Sequence, residues 1–373
     1  MTDVETRLRD ALAARADVVQ PDPTAYSAIV RRRNRRRVHL GSTGALATAT
    51  VVIVVVALIA VASAVRPTRK TQPATTGAPR LAVAIRHYRA IVVDADHPDA
   101  PPVYTTEREY GNVYAVAAVG DGKTFYFASQ FTTKCKSALY RLDATTRELT
   151  EVPGFWSTGY VESLAVTADE LTLAYSTYSA KGCPEGVDLR VRDLVTGKER
   201  AWHDSSSNHD LSNVTMSPDG RHVAYTYDAF SFGSLDTHVD GPLPAGVHEP
   251  MTNVESYDCL AHAGSYLPTG ELAVVASCRP NLFYRDPRAT GFTLVTTYDP
   301  TTRRPGRELF RMPLAFDPRQ LAFDRSGRHA FLTGSELIAP DTAGLDSTVY
   351  RWDAGTAPRK VLDQPHDFRG LTW

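Results

Sequence analysis

Signatures of chemistry are what this chain most lacks. It has no G-x-S-x-G elbow, no S-x-x-K, no H-E-x-x-H and no phosphate-binding loop, so the linear motifs that place a nucleophile, a zinc ion or a nucleotide are missing. Cysteine is scarce, with four in all, and no two stand at the C-x-x-C spacing of a zinc ligand pair. Eleven histidines are scattered. His203 and His209 flank a Ser/Asn/Asp-rich loop, and His238 and His248 lie in a longer insertion, but no ligand spacing recurs, so solvated loop residues are the expected reading. Asp94-Ala95-Asp96-His97-Pro98-Asp99 holds enough carboxylates for a cation; its composition is also that of a polar turn between strands, the preferred reading. No metal, no cofactor and no nameable catalytic set is expected.

Charge is absent from one long stretch. The 28 residues Val38–Val65 contain no Lys, Arg, Asp or Glu, and the apolar centre, Ala45–Val65, is 21 residues long. About 20 apolar residues in a helix cross a bilayer core. Six arginines, Arg31, Arg32, Arg33, Arg35, Arg36 and Arg37, crowd the N-terminal flank, against Arg66, Arg69 and Lys70 on the other. Because basic flanks stay cytoplasmic, residues 1–37 are expected inside, 38–65 as a transmembrane helix, and the rest outside. Two other readings stand beside the anchor. Ala62-Ser63-Ala64 has the small-x-small form of a cleavage site, and Arg36-Arg37-Val38-His39-Leu40 loosely resembles a twin-arginine signal.

A basic excess is missing where it would matter for nucleic acid. Residues 1–37 carry nine Arg and five acids, a net +4, and the remaining 32 Lys+Arg and 37 Asp+Glu leave residues 66–373 at −5. A mildly acidic domain without a basic stripe argues against nucleic-acid binding. In the tail, Thr2-Asp3-Val4-Glu5 fits a capping box and Val4, Leu8 and Leu12 follow at helical spacing. Pro21 and Pro23 end that helix. The tail is too small for a core of its own; it touches lipid, or docks a cytoplasmic partner through the Val4/Leu8/Leu12 stripe. Residues 66–80, rich in Pro and Thr, read as a flexible linker.

Beyond the linker the sequence repeats. An apolar strand, a tight turn and a second apolar strand recur at Ala117–Ser129, Ala165–Thr177, Thr215–Tyr225, Ser265–Ser277 and Ala322–Gly334. The turn residues Asp121, Asp169, Asp219, Thr269 and Ser326 are spaced by 48, 50, 50 and 57. Pro or Ala suits the first bend, Asp bonds its own backbone, and Gly supplies a positive φ. A second block, with turns at Asp143, Asp193, Asp299 and Asp353, reads as an outer hairpin. The unit starting near Asn213 shows no clear one and carries instead an insertion, Ala229–Val254, expected as a long loop. A period near 50 residues with about four strands per unit predicts a β-propeller. Phe368–Trp373 matches the first repeat strand and then stops, so the missing strands should come from Leu81–Glu109 and close the ring. The expected fold is all-β over residues 81–373, with six blades, or seven if the insertion hides a degenerate one.

SPDGRHVAY (Ser217–Tyr225) and its relatives resemble TolB-like and WD-repeat-like propellers, over about residues 81–373. Trp-Asp appears only at Trp352-Asp353, which favours the TolB-like branch. The resemblance implies a ring that binds proteins or peptides, or that accompanies an enzyme. The short basic tail resembles those of actinobacterial single-pass proteins, including some anti-sigma regulators, although it lacks a His/Cys zinc signature. All four cysteines fall outside the expected membrane, where disulfides form. Cys259 and Cys278 lie ten residues before and nine after the turn at Thr269, nearly opposite in a hairpin and within disulfide reach. Cys135 and Cys183 precede equivalent outer hairpins of consecutive blades and form the second expected pair. The leading expectation is a membrane-anchored extracytoplasmic propeller, lipid-bound through one helix, that binds a small ligand, peptide or envelope protein without catalysis. The alternatives are a hydrolase-like enzyme with a site built from several blades and a transmembrane regulator acting through residues 1–37.

Overall fold

Runs such as LAVAIR, RAIVVD and TFYFASQF are rich in β-branched and aromatic residues, which favour strands. They show little alternation of apolar and polar because both faces of each strand are covered. On β1 (Leu81–Arg86), Val83 and Ile85 pack towards one neighbouring sheet while Ala82 and Ala84 pack towards the other. That is the two-residue period of a strand serving two cores at once.

The computed structural model describes residues 77–373 except 132–135, 156, 158, 179–186, 205–210, 228–230, 245–256, 281–290, 300–301, 303, 313–315, 337–345 and 366–367. The basic tail with Arg31–Arg37, the apolar span, residues 66–76, Cys135 and Cys183 therefore lie outside the described residues. Among those described, no helix is long and apolar enough to cross a membrane. Thr71–Trp373 forms one compact unit.

The strands make six antiparallel sheets. Blade 1 takes β1, β2 (Arg89–Asp94) and β3 (Tyr104–Thr105). Blade 2 holds β4 (Asn112–Ala118), β5 (Thr124–Phe131), β6 (Lys136–Asp143) and β7 (Glu148–Glu151). Blade 3 holds β8 (Tyr160–Val166), β9 (Thr172–Tyr178), β10 (Val187–Asp193) and β11 (Glu199–Asp204). Blade 4 has β12 (Leu211–Met216), β13 (His222–Tyr227) and β14 (Ser231–Asp236). Blade 5 holds β15 (Tyr257–Tyr266), β16 (Leu272–Pro280), β17 (Phe292–Asp299) and β18 (Arg304–Met312). Blade 6 holds β19 (Phe316–Phe323), β20 (His329–Glu336), β21 (Asp346–Asp353) and β22 (Arg359–Pro365). The final strand, β23 (Phe368–Thr372), returns to blade 1 and pairs with β1 as its innermost strand. The inner strands β4, β8, β12, β15, β19 and β23 then neighbour one another in a closed circle. The protein is a six-bladed β-propeller, and the exchange of strands between the two ends of the domain is the one expected from the broken last repeat.

The expected long loop over Ala229–Val254 needs correction. Its first part, Ser231–Asp236, is the third strand of blade 4, paired residue by residue with β13. The signal is present in SFGSLDTH: Phe232 and Leu235 are buried, and Asp236 Oδ1 accepts the His238 N–H at 2.9 Å, as Asp143 and Asp193 do for the residues two on in their own blades. Serine and glycine masked it. That stretch is thus part of blade 4, and the described residues form six sheets with no seventh among them.

Six apolar clusters lie one between each pair of adjacent blades. Cys259 and Cys278 stand directly opposite in the β15–β16 ladder and form a disulfide inside the cluster between blades 4 and 5. The cluster between blades 6 and 1 contains Trp373, fully buried and stacked on Phe331 at 4.1 Å between ring centroids. Arg351 lies over the same indole, 5.4 Å from its centroid. Its guanidinium, 7% exposed, bonds Asp353 within blade 6 and Asp96 of blade 1. Asp353 also accepts from His329 Nδ1 at 2.6 Å.

Burial raises the Asp353 carboxyl pKa, but the His329 hydrogen bond and the Arg351 charge outweigh it and hold the group below the ordinary carboxylate range. A carboxylate depressed in the fold contributes stability that is present above its unfolded pKa and is lost as pH falls through the folded value. Urea unfolding midpoints should therefore fall below about pH 4. Asp353→Asn should lower the midpoint at neutral pH and flatten that acid limb. Parallel limbs in the two proteins would show that Asp353 does not carry the closure.

Candidate functional site

The inner strands end at the first hairpin turns, and there the repeat builds a rim. The turn residue bonds the backbone two residues on in each repeat: Asp121 Oδ1 to Lys123 N–H, Asp169 Oδ1 to Leu171, Asp219 Oδ1 to Arg221, Thr269 Oγ1 to Glu271 and Ser326 Oγ to Arg328. The next position is left-handed throughout. It is Gly at 122, 220, 270 and 327, and Glu170 in blade 3, with φ 59°. Glycine adopts this conformation without cost, whereas a side chain there is disfavoured by roughly 1–2 kcal/mol.

Inside the rim lies a cavity of about 590 Å³, lined by β4, β8, β12, β15, β19 and β23 and their turns. Its wall is the open edge of six inner strands. Neighbouring hydroxyls cover part of that edge: Ser163 Oγ accepts Val214 N–H at 2.8 Å, Thr215 Oγ1 accepts Tyr266 N–H at 3.3 Å, and Ser265 Oγ accepts Phe323 N–H at 3.3 Å. Blade 1 has no turn joining β23 to β1, and two backbone bonds fill that gap, Gly120 N–H to Trp373 O and Arg325 N–H to Gly120 O, both 3.1 Å. Apolar Val116, Met216 and Phe323 share the wall with these polar groups.

The carboxylates here are committed to structure. Asp169 accepts Thr167 Oγ1–H at 2.6 Å, and Asp324, 4% exposed, accepts the Arg328 and His329 N–H groups and the Ser326 hydroxyl. Burial, and secondarily the Asp219 charge, push the Tyr266 hydroxyl above its ordinary pKa, so it stays a donor at the wall. Among the described residues no group of three His, Cys, Asp or Glu is placed to hold a metal. The cavity can therefore hold chain by hydrogen bonds and apolar contact, but its carboxylates are not placed for proton transfer.

The other ends of the inner strands carry a second ring. Every pairing of an inner strand with its neighbour has a register shift there, which puts Tyr114, Glu162, Asn213, His262 and Arg319 at or beside a bulge. Bulges re-aim side chains. Tyr160 and Tyr178 pair at 5.6 Å, and His262 Nε2 stands 2.6 Å from Ser277 Oγ. No linear motif marks these residues. Only the 50-residue phase, counted back from each turn, would have found them.

The sequence candidates fall elsewhere. Asp94–Asp99 is a polar turn: Asp94 Oδ1 accepts Asp96 N–H, and Asp96 pairs with Arg351 and Arg359. His203 is bound to Asp188 and His238 to Asp236. His209 and His248 are outside the described residues.

No family model matches the chain, and no curated protein does. Solved structures match in large number, 860 chains, so the fold is too common to specify a function. TolB from Acinetobacter baumannii aligns with a TM-score of 0.50 and 16% identity over 79% of this chain. This chain spans 66% of the TolB chain, just under two thirds. A chain of the nidogen/laminin complex gives 0.49 at 11% identity, covering 78% of this chain and 97% of that one. An oligogalacturonate lyase in complex with manganese gives 0.45 at 15%, covering 74% and 70%. At such identities the likeness is one of fold alone, and a fold does not specify a function.

Glu170 ties the rim of blade 3 to blade 2. Its carboxylate accepts Tyr126 Oη–H at 2.9 Å and Arg141 Nε–H at 2.6 Å. Burial and then this carboxylate raise the Tyr126 pKa, keeping that hydroxyl a donor. Glu170→Ala should cost about 1–3 kcal/mol in chemical denaturation. Glu170→Gly loses the same contacts but relieves the left-handed Cβ, so it should be about 1 kcal/mol more stable than the alanine variant. The reverse order would contradict this account of the turn.

Proposed function

We propose that the chain is a membrane-anchored, extracytoplasmic propeller that binds an extended peptide or protein segment in the central cavity, without catalysis. One observation carries the reading: the cavity is walled by six open strand edges, while the carboxylates beside it are spent on the turns. Open edges with apolar patches between them suit main-chain recognition of an extended segment. The six arginines at 31–37 and the uncharged stretch 38–65 support the anchor and the outward orientation. A ligand held 15 or so residues from the membrane by the linker suits an envelope partner more than a soluble cytoplasmic one.

A second reading, a hydrolase, is favoured by the His262–Ser277 contact, since a histidine bonded to a hydroxyl is the geometry of base and nucleophile. A fluorophosphonate probe that labelled Ser277 would favour it.

The test of binding is selection of peptides on the full-length protein, followed by Ala168→Trp. Ala168 occupies the turn position that holds Arg325 in blade 6, so the site tolerates a large side chain, and tryptophan there narrows the mouth. The variant should keep its melting temperature and lose peptide binding by about tenfold or more. Equal binding, or no enrichment, would contradict the reading. On intact cells, added protease should reach the propeller and spare residues 1–37; a protected propeller would contradict the orientation.

A further inference from the structure

We infer that a cleft on blade 1, away from the central cavity, is a binding site for a small multivalent oxyanion carrying phosphate or carboxylate groups. The cleft encloses about 600 Å³, enough for a small ligand. It lies where β1 ends at Arg86, on the opposite face from the first hairpin turns, between the outer strands of blade 1 and the passage from Arg108 to Asn112 that leads into blade 2.

Its charge is one-sided. Arg86, Arg89, Arg108 and His87 line it, and no Asp or Glu does. Glu107 and Glu109 flank Arg108 in sequence but are exposed outside the lining. Arg89 donates to Thr106 O at 3.5 Å. Neither Arg86 nor Arg108 has an ion-pair partner among the described residues. Other arginines of the ring are paired with carboxylates, as Arg141 is with Glu170, Arg190 with Asp188 and Glu199, and Arg351 with Asp96 and Asp353. Residues 66–373 hold five more acids than bases, so counter-charge is not scarce. Three guanidiniums gathered without it repel one another, and an oxyanion accepting their paired N–H groups relieves that repulsion.

The turn at the cleft supplies an independent sign. The two-residue β1–β2 hairpin loop is His87 (φ 52°) and Tyr88 (φ 58°), both left-handed. Asn-Gly is what such a loop favours; a bulky pair kept in this conformation is stored strain, which collects at ligand clamps. The result is a tyrosine 49% exposed, tilted against Tyr114 at 5.2 Å between centroids, that lines the cleft together with the arginines. Tyr88 offers an apolar face for the carbon part of the ligand, and the arginines take its charge.

Calorimetric titration of the full-length protein in neutral detergent tests the site, with pyrophosphate and citrate as separate probes at low salt. At least one should bind saturably at one site, and added salt should weaken it. Pyrophosphate alone would assign phosphate groups, and citrate alone carboxylates. Arg86→Ala and Arg108→Ala should each weaken binding by about tenfold or more. Arg108 is exposed, so its variant keeps the fold and the test stands even if Arg86→Ala unfolds. Saturable binding of neither probe, or wild-type affinity in Arg108→Ala, would overturn the inference.

Discussion

Closure of the ring is the constraint on which everything else rests. A blade is a small sheet whose two faces are both apolar, and it cannot bury them alone. Stacking blades in a row would leave two bare faces and two unprotected ends, as in an open solenoid that needs caps. Here the faces of blades 6 and 1 cover each other. The seam is fastened by β23 on β1, by Trp373 on Phe331, and by Arg351 reaching from blade 6 to Asp96. With the seam shut, six equivalent cores form and no blade face is left over.

Closure also makes the site. The central cavity exists only because six inner strands are held edge-inward around one axis, and its wall is complete at blade 1 only because Gly120 bridges Trp373 and Arg325. The same geometry gives the ring two unlike ends. One end has regular turns whose acids serve the backbone. The other has bulges, paired tyrosines, a histidine–serine contact and an arginine cleft.

Much of the fold was legible because the turns are local. Asp219-Gly220 and its relatives need particular residues for backbone reasons, so they recur in phase and betray blade number, ring closure and the register that sets Cys259 opposite Cys278. Blade 4 was harder, because Ser231, Gly233 and Ser234 interrupt the apolar pattern of a strand anchored by buried Phe232 and Leu235. The candidate sites were nearly invisible. Arg86, Arg89 and Arg108 share a cleft only because blade 1 folds back on the passage into blade 2, and Tyr114, Glu162 and His262 hold equivalent bulge positions only through the repeat. The arginines are spread over 22 residues with a strand pair between them, and the bulge residues are separated by about one or two repeats, so no short motif joins either set. Glu170 shows the converse: it looks like a lapse in the turn pattern, and its position between Tyr126 and Arg141 explains why the lapse is kept.

The central claim is that the seam holds all six blades as one cooperative unit. Hydrogen exchange of Trp373→Ala under native conditions tests it most directly. Removing a buried tryptophan should cost about 3–5 kcal/mol. Protection should fall by a similar amount in every blade, including β12 and β13 on the far side of the ring. A loss confined to blades 1 and 6, with β12 and β13 as protected as before, would show that the blades are held independently and would contradict the account.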